Sequence, residues 1–272
     1  MGENPLRALP ESERVRKALA KLEFLVVQDI LNNETARVAD VVLPGAAISE
    51  KQGSVTNLEG RIQTFQPVVS PPGKARPDWQ ILDLLAAALS GSEAYGSIEK
   101  IRDEIRRLIP AYESLNGPDQ GWIQPTNGLA LYKAQGADDL ISFYPVVSTE
   151  DEPDDRNYPL TAIIGSLRYQ LGSGTRTHAS GRIQGFDLAG QVEISLQDSA
   201  SLDLKDDDTV TVTSASGSVT REIRIDQSLG AGQIFVPTGY NGNDAMNLLA
   251  LSDITQPGSP GWKTARVKIK KA

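Results

Sequence analysis

Residues 209–225 read TVTVTSASGSVTREIRI, and this stretch decides the fold class of the C-terminal part of the chain. Apolar and polar residues alternate over Thr209–Thr213 and again over Val219–Ile225, which is the period of a strand with one buried face. The residues between the two runs, 215–217, read Ala-Ser-Gly and supply a turn. The pattern therefore predicts a β-hairpin.

Other short apolar or alternating runs surround this hairpin. They lie at Leu160–Ile164, Gln191–Leu196, Ile234–Val236 and Ala265–Ile269. Many short strands separated by turns, with little helix between them, are typical of a small β-barrel. We therefore expect a β-barrel domain over residues 158–272, preceded by an acidic, proline-containing linker at residues 148–157.

The N-terminal part has a different pattern, in which short strands alternate with helices. Phe24–Val27 and Val41–Leu43 are the strand candidates, and Ser12–Lys21 has the apolar spacing of a helix. Strands that alternate with helices favour an α/β domain with a parallel, Rossmann-like sheet. We expect this domain to be partial and to extend over residues 1–147.

Two further helices are predicted before the linker. Asp78–Ala88 is the first, and its spacing places Trp79, Leu82, Leu85 and Ala86 on one face. Ile98–Leu108 is the second, and Pro110 ends it. It opens a variable helical insert within the N-terminal domain.

The composition excludes several classes of site. A formal net charge of −8 argues against binding to a nucleic-acid backbone, because basic patches supply most of that affinity. The chain has no cysteine, which rules out disulfides, cysteine-ligated zinc and a cysteine-held iron–sulfur cluster within it. No apolar run approaches the roughly 18 residues of a membrane-spanning helix. We expect a cytoplasmic protein, with a peripheral position on a membrane complex as the alternative.

Several longer motifs occur in an order and at spacings that resemble one family. They are LEFLVVQDILNNETARVADVVLP (22–44), EKQGSVTNLEGRIQ (50–63), PPGKARPDWQIL (71–82), YPLTAIIG (158–165), GSGTRTHAS (172–180) and GQIFVPTGY (232–240). The chain resembles the C-terminal portion of a molybdopterin oxidoreductase large subunit. The group includes formate dehydrogenase α-subunits and the large iron–sulfur subunit of NADH:quinone oxidoreductase.

The resemblance implies a fold and a set of partners. The C-terminal zone would be the molybdopterin-dinucleotide-binding domain, a double-psi β-barrel. Full-length members begin with an iron–sulfur domain, followed by segments that carry the cysteine or selenocysteine ligand of molybdenum. We therefore expect a split subunit, completed by a partner polypeptide with those parts, or a truncated gene product.

Two N-terminal positions are candidate contacts to the cofactor. Gly2, Glu3 and Asn4 form a turn with Pro5 that can present N–H groups and an amide to a phosphate or pterin edge. Asp29 follows a predicted parallel strand, where ligands bind in such sheets. A plain loop in the first case and a helix cap or turn in the second are the alternatives, and Asn33 and Glu34 share the second ambiguity.

The loop at residues 172–180 is the most informative candidate. In cofactor-binding relatives the comparable loop wraps the pterin dinucleotide, and Gly174, Thr175, Thr177 and Ser180 match it. His178 and Ala179 stand where an arginine pair is usual, and Arg176 is a partial substitute. Hydroxyls, glycine N–H groups and arginines suit pyrophosphate recognition. His178 is either a ligand contact or a capping histidine.

Five more residues or segments complete the candidates. Tyr240, Asn247 and Lys263, the last preceded by Trp262, match positions near the pterin in relatives. The segment Glu50–Arg61 either lines the cofactor channel or forms a hairpin-like turn with an ion pair. The acidic run Lys205–Asp208 is predicted to be a solvated turn, because a calcium site needs a longer loop with specific spacing.

Two functions remain open. The preferred one is a non-catalytic half of a complex I large-subunit-like oxidoreductase, which supports electron transfer by an iron–sulfur partner and need not hold a cofactor. The alternative is a split formate dehydrogenase-like subunit that binds molybdopterin guanine dinucleotide with molybdenum or tungsten. In both cases the chain is not an enzyme alone. A free-standing binding module, or the remnant of a split gene, is a third possibility.

Overall fold

The computed structural model describes residues 1–113, 115, 156–186, 190–251 and 263–272. The linker predicted at residues 148–157 therefore lies almost wholly outside the described residues, as does Trp262. The chain divides into two compact units. The first comprises residues 1–2, 26–30 and 41–146, and the second comprises residues 3–25, 31–40 and 147–272.

The described part of the chain contains six α-helices and ten strands. The α-helices are α1 (Pro5–Ala8), α2 (Ser12–Leu19), α3 (Asp78–Ser90), α4 (Ile98–Leu108), α5 (Gly181–Gln184) and α6 (Leu196–Ser201). The strands are β1 (Val26–Asp29), β2 (Val41–Pro44), β3 (Gly53–Thr56), β4 (Ile62–Phe65), β5 (Leu160–Ser166), β6 (Val192–Ile194), β7 (Thr209–Ser214), β8 (Ser218–Ile225), β9 (Gln233–Thr238) and β10 (Thr264–Lys271). Short 3₁₀ helices lie at Ala36–Val38, Ile48–Glu50, Pro110–Tyr112, Thr177–Ala179 and Asn241–Leu248.

The first unit contains a parallel pair of strands and an antiparallel hairpin. β1 pairs with β2 in parallel from Val26↔Val41 to Asp29↔Pro44, and β3 pairs with β4 in the antiparallel sense. The first strand begins two residues later than predicted, because the ladder with β2 starts at Val26. Phe24 lies before the ladder and is 63% exposed. The hairpin-like interpretation of Glu50–Arg61 agrees with β3 and β4.

The predicted helix is present as α3, and part of its apolar face is exposed. Leu82 and Leu85 are 47% and 41% exposed, whereas Ile81 and Asp83 are each 7% exposed. Asp83 is buried because its carboxylate accepts hydrogen bonds from the backbone N–H groups of Tyr95 (2.8 Å) and Gly96 (2.9 Å), and so it fixes the chain that follows the helix. Apolar periodicity identified an amphipathic helix but not the side that the described residues cover.

The second unit is built on a closed barrel of six strands, in the order β10-β5-β9-β6-β8-β7. The β5–β9 and β6–β8 pairs are parallel, and the remaining pairs are antiparallel. Inward residues alternate along each strand, so mostly β-branched side chains fill the interior. These include Ala162, Val192, Ile194, Val210, Val212, Ile223, Ile234, Val236 and Val267, each 0% exposed. The predicted β-barrel is confirmed, including its β7–β8 hairpin.

N-terminal segments complete this second unit. Both α1 and α2 contact the 3₁₀ helix Asn241–Leu248, and Val15 on α2 is buried. The backbone N–H of Glu11 donates to the Met246 carbonyl at 3.3 Å. The barrel unit is therefore assembled from both ends of the sequence. No helix among the described residues is long and apolar enough to cross a membrane.

Candidate functional site

Two loops lie side by side at one edge of the barrel, after strands β5 and β9. Strands β5 and β9 are parallel neighbours whose last paired residues are Ser166 and Thr238. The chain that follows β5 forms the loop at residues 170–180, and the chain that follows β9 forms a turn at residues 239–243. Because parallel strands end at the same edge of a sheet, these two connections lie together.

Gly174 is required where these two connections touch. Its φ of +76° is in the left-handed region, and an added Cβ would lie 2.9 Å from both the Gly239 carbonyl oxygen and the His178 ring. His178 Nε2 hydrogen-bonds to the same Gly239 carbonyl. Since a carbonyl only accepts, this nitrogen carries the proton. His178 therefore holds the turn through this hydrogen bond, as a capping residue would.

Thr175, the next residue of the loop, is held from the N-terminal segment. Its hydroxyl oxygen accepts a hydrogen bond from Asn4 Nδ2 at 3.3 Å and lies 3.0 Å from the Ser173 hydroxyl. The structure thus brings together two of the predicted contacts, Asn4 and Thr175, which are far apart in the sequence.

Asn4 is the centre of a wider polar network. The side chain is 3% exposed, and its Oδ1 accepts from the Thr35 hydroxyl at 2.7 Å and from the Thr35 N–H at 3.3 Å. Its Nδ2 also donates to Glu34 Oε2 at 2.6 Å. Every polar atom of the amide is occupied, so its orientation is fixed.

Arg7 links the same carboxylate to the loop. Its Nε donates to the Ser173 carbonyl at 2.7 Å, and its Nη1 donates to Glu34 Oε1 at 3.3 Å. Burial alone would raise the pKa of Glu34. Hydrogen bonds from its own backbone N–H and from Asn4, together with the Arg7 charge, outweigh burial and hold this pKa below its usual value. Glu34 is therefore ionised at neutral pH.

The network closes on itself through Asn243. Its Nδ2 donates to the Arg7 carbonyl at 2.6 Å, and its Oδ1 accepts from the Gly239 N–H at 2.8 Å. The hydrogen bond between the His178 ring and the Gly239 carbonyl then connects this turn back to the loop. We call this set of residues, Asn4, Arg7, Glu34, Thr35, Ser173, Gly174, Thr175, His178, Gly239 and Asn243, the loop-support ring.

The loop has features that fit a phosphate-bearing ligand. Gly172 has a φ of +54°, and an added Cβ would meet nothing within 4 Å, so the backbone is open there. Ser173 and Thr175 flank buried Gly174 in the sequence, and their hydroxyl oxygens lie 3.0 Å apart. Open glycine backbone with neighbouring hydroxyls is a common arrangement for binding phosphate oxygens.

The other predicted residues of the loop serve its own structure. Thr177 donates its hydroxyl to Gln170 Oε1, and the Ser180 hydroxyl accepts from the Ile183 N–H at 3.4 Å as the N-cap of α5. Arg176 is exposed at the start of the 3₁₀ turn. Its side chain is therefore open to solvent beside the loop.

Three predicted contacts after residue 230 are in different local settings. The Tyr240 ring packs against Gly190 and lies 5.3 Å from the guanidinium of buried Arg221. Asn247 Oδ1 accepts from the Ser12 hydroxyl at 2.8 Å, so this amide connects α2 to the 3₁₀ helix Asn241–Leu248 within the barrel unit. Lys263 is exposed, and its carbonyl accepts from the Ile164 N–H at 2.7 Å.

The remaining N-terminal positions divide between the units. In the first unit, the Gly2 N–H donates to the Gln28 carbonyl at 2.8 Å. Asp29 ends β1 as predicted, is 9% exposed and accepts from the Ile30 N–H at 2.6 Å through Oδ1. This bond forms a turn, which agrees with the alternative interpretation of Asp29. Glu3, in the second unit, is exposed and accepts from the Asn4 N–H at 3.3 Å.

Sequence reasoning missed the residues that support the loop from outside it. Neither Arg7 nor Asn243 stands out in the sequence. A single arginine in a short helix is usually solvated, and one asparagine in a turn usually caps that turn. No local signal marks a contact between residues more than 160 positions apart.

Two protein-family models match the chain. One, described as molybdopterin oxidoreductase, matches residues 1–88. The other, described as the molybdopterin dinucleotide binding domain, matches residues 160–266, which contain the barrel and the loop. Molybdopterin is the cofactor class of the second model.

Longer curated proteins align with the whole chain or most of it. The α-subunit of the F420-dependent formate dehydrogenase of Methanocaldococcus jannaschii is 33% identical over 100% of this chain and 42% of its own length. The NADPH-Fe(3+) oxidoreductase α-subunit of Geobacter sulfurreducens is 34% identical over 92% of this chain and 28% of its own length. An NADH-quinone oxidoreductase subunit of Rhizobium meliloti is 31% identical over 88% of this chain and 27% of its own length.

A solved structure has the same fold. Acetylene hydratase from Pelobacter acetylenicus superposes with a TM-score of 0.62 at 21% identity, over 88% of this chain and 36% of the hydratase chain. The chain spans less than half the length of each of these relatives.

Proposed function

Residues 1–88 belong to the molybdopterin oxidoreductase family and residues 160–266 to its dinucleotide-binding domain family, and on this basis we propose that the chain is the dinucleotide-binding half of a molybdopterin-dependent oxidoreductase. It would hold the nucleotide end of molybdopterin guanine dinucleotide. The bound cofactor, with molybdenum or tungsten, would supply the redox chemistry. The chain itself contributes binding and orientation.

The loop-support ring is the observation that carries this proposal. Asn4, Arg7 and the turn at Gly239 hold the loop at residues 172–175, so that open backbone and two hydroxyls are fixed before any ligand arrives. A loop that is already ordered loses less conformational entropy when it binds, so preorganisation raises affinity. A loop of this composition suits the diphosphate of a dinucleotide.

The first unit has an apolar face that fits a partner polypeptide. On α3, Leu82, Leu85 and Leu89 are 47%, 41% and 88% exposed. An open groove of about 700 Å³ runs beside this helix, and its lining includes Leu84 and Leu85 together with Leu43, Pro44 and residues 73–76. Apolar faces of this extent mark interaction sites, and parallel strands are normally covered on both faces.

We infer that a partner polypeptide covers this apolar face. That partner would contain the iron–sulfur cluster and the metal ligand, since this chain has no cysteine. The assembly would be cytoplasmic or peripheral to a membrane complex. We also propose that the complete N-terminal sheet is Rossmann-like and that the barrel is of the double-psi type.

A second candidate function is a scaffold half that has lost the cofactor. One observation favours it: the imidazole of His178, at a position where the family resemblance implies an arginine, is committed to the Gly239 carbonyl. The loop then has Arg176 as its own exposed cation, and no second one among residues 172–180. Such a half would support electron transfer in a complex I-like assembly without binding a pterin.

Affinity purification of the tagged chain from its source cell tests both functions. Molybdenum, tungsten and iron would be quantified, and the guanosine monophosphate released by acid hydrolysis would be measured by mass spectrometry. The dinucleotide function predicts a near-stoichiometric metal and guanosine monophosphate, both lost in a Thr175→Val variant that still captures the iron-containing partner. An iron-containing partner without molybdenum, tungsten or guanosine monophosphate would support the scaffold function.

A further inference from the structure

We propose that Arg7 is the positioning residue of the dinucleotide loop. The conformation that binds the nucleotide would then be set by helix α1, 166 positions away from Ser173 in the sequence. The effect of Arg7 on ligand binding rests on the function proposed above. Its structural part can be tested without any ligand.

The argument begins with where Arg7 holds the loop. Its Nε bonds to the main chain at Ser173, whereas Asn4 bonds to the side chain of Thr175, on the other side of Gly174. Arg7 is itself fixed by Asn243, which donates to its carbonyl. The loop is therefore held through backbone and side chain at once, and Arg7 provides the backbone contact.

Stability alone does not explain an arginine at this position. The Arg7 side chain is 9% exposed, and its Nη2 is buried with no hydrogen-bond partner among the residues that the structure describes. An unsatisfied buried donor destabilises the fold, and buried ion pairs are often no better than apolar residues of similar volume. A leucine or methionine would pack α1 at least as well. It could not bond to the Ser173 carbonyl.

Charge does not explain Arg7 either. Glu34 is ionised and pairs with its guanidinium, so the pair as a whole adds no net charge to the loop. Arg7 therefore acts through geometry, by fixing the Ser173 carbonyl and with it the direction of the two neighbouring hydroxyls. Planar, rigid donors suit this role, because less side-chain entropy is lost for each hydrogen bond formed.

Hydrogen–deuterium exchange on the full chain tests the positioning role. An Arg7→Lys variant keeps the charge but replaces the planar guanidinium with a single nitrogen, and Arg14→Lys on exposed α2 is the matched control. We expect the amides of Gly174 and His178 to exchange about tenfold faster in Arg7→Lys, as for loss of a charged-donor hydrogen bond. The Val212 amide in the barrel should exchange as in the wild type, and Arg14→Lys should change neither.

Calorimetric titration with guanosine diphosphate, the nucleotide half of the ligand, measures the consequence for binding. Arg7→Lys should bind it about tenfold more weakly than the wild type and Arg14→Lys equally well. If the wild type does not bind guanosine diphosphate, the proposed function fails while the exchange result still decides the role of Arg7.

Two outcomes would overturn the proposal. One is loop exchange in Arg7→Lys equal to that of the wild type. The other is a uniform rise in exchange over the loop and the barrel strands, which would make Arg7 a general stabilising residue. If Arg7→Lys does not fold, Glu34→Gln serves instead, because it removes the charged partner that orients the guanidinium. It should loosen the loop by a smaller factor while Val212 is unchanged, and unchanged loop exchange would again contradict the proposal.

Discussion

The amide Nδ2 of Asn4 donates to the hydroxyl of Thr175 across 3.3 Å, although the two residues are 171 positions apart in the sequence. This bond joins a turn before α1 to the loop that follows β5. It makes the candidate binding loop dependent on residues that no contiguous barrel sequence would contain.

Replacement of Asn4 by alanine should therefore reduce both stability and ligand binding. The change leaves Thr35 and Glu34 without their buried partner, so we expect the free energy of unfolding to fall by about 1–3 kcal/mol. Urea unfolding monitored by tryptophan fluorescence measures this fall. Thr175→Val removes the contact to the loop but leaves the other bonds of Asn4, and should cost less. Equal losses in the two variants would contradict the central role of Asn4.

Alanine at Gly174 should destabilise the barrel unit far more than alanine at Gly172. Both glycines have positive φ, but an added Cβ meets the Gly239 carbonyl at 2.9 Å in the first case and open space in the second. We expect about 1 kcal/mol for the left-handed conformation alone at Gly172, and at least about 2 kcal/mol at Gly174, where the turn must also shift. Thermal unfolding of the two variants side by side gives the comparison, and similar midpoints would argue against close contact between the two connections.

Glu34 should contribute stability that depends on pH. Its pKa is lower in the folded protein than the ordinary value of 4.5, so folding favours the ionised form. The contribution is present above the unfolded pKa and is lost as the pH falls through the folded pKa. The difference in unfolding free energy between wild type and Glu34→Gln should thus be constant from about pH 7 to about pH 6 and shrink below about pH 4.5. A difference that grows on acidification would contradict a lowered pKa of Glu34 in the folded protein.

Two arginines on β8 should respond very differently to truncation. Arg221 has a side chain that is 2% exposed, pairs with Asp244, and donates to the Gly190 and Pro237 carbonyls at 2.9 Å each. Arg221→Ala leaves all three acceptors unpaired, and we expect a loss of about 3–5 kcal/mol. Arg224→Ala removes an exposed ion pair on the same strand and should change stability by less than about 1 kcal/mol. Denaturant titration of both variants tests the ranking.

The apolar face of α3 should make the isolated chain self-associate. Leu82, Leu85 and Leu89 are exposed, and water-exposed apolar surface favours association with any complementary surface. Sedimentation velocity of the purified chain should show species larger than the monomer. Glutamine at all three positions should shift the distribution towards monomer and abolish capture of the partner. Monomeric behaviour of the wild type would count against a covered α3 face.

Much of the barrel could be predicted from sequence, because strands such as β7 and β8 alternate β-branched and polar residues, and a closed barrel preserves that alternation. The parallel β5–β9 pairing could not be predicted, since alternation indicates which face is buried but not which strand is the neighbour. The exposure of the apolar face of α3 could not be predicted for a related reason. Its apolar spacing is genuine, but Asp83 is buried by hydrogen bonds to the backbone of Tyr95 and Gly96.

The binding loop can be identified from sequence because its glycines and hydroxyls lie together in the chain. Its support cannot, because Arg7 and Asn243 act through contacts with distant main-chain atoms. A charged or amide side chain has many uses, and its neighbours in sequence do not reveal which one applies. Asn4, whose contact with the ligand stays a prediction, has a set of distant protein partners that the sequence does not reveal.

The barrel unit draws residues 3–25 and 31–40 from one end of the chain and residues 147–272 from the other. The barrel unit is therefore a discontinuous domain, and it cannot be isolated by cutting the chain at one place. A clone that starts at residue 158 would encode every strand of the barrel and the whole binding loop. It would also leave Ser173, Thr175 and Asn243 facing solvent where Arg7 and Asn4 should be. Expression of the barrel as a separate reagent therefore needs the first 40 residues spliced to it, and a linear truncation would report on a loop that has lost its support.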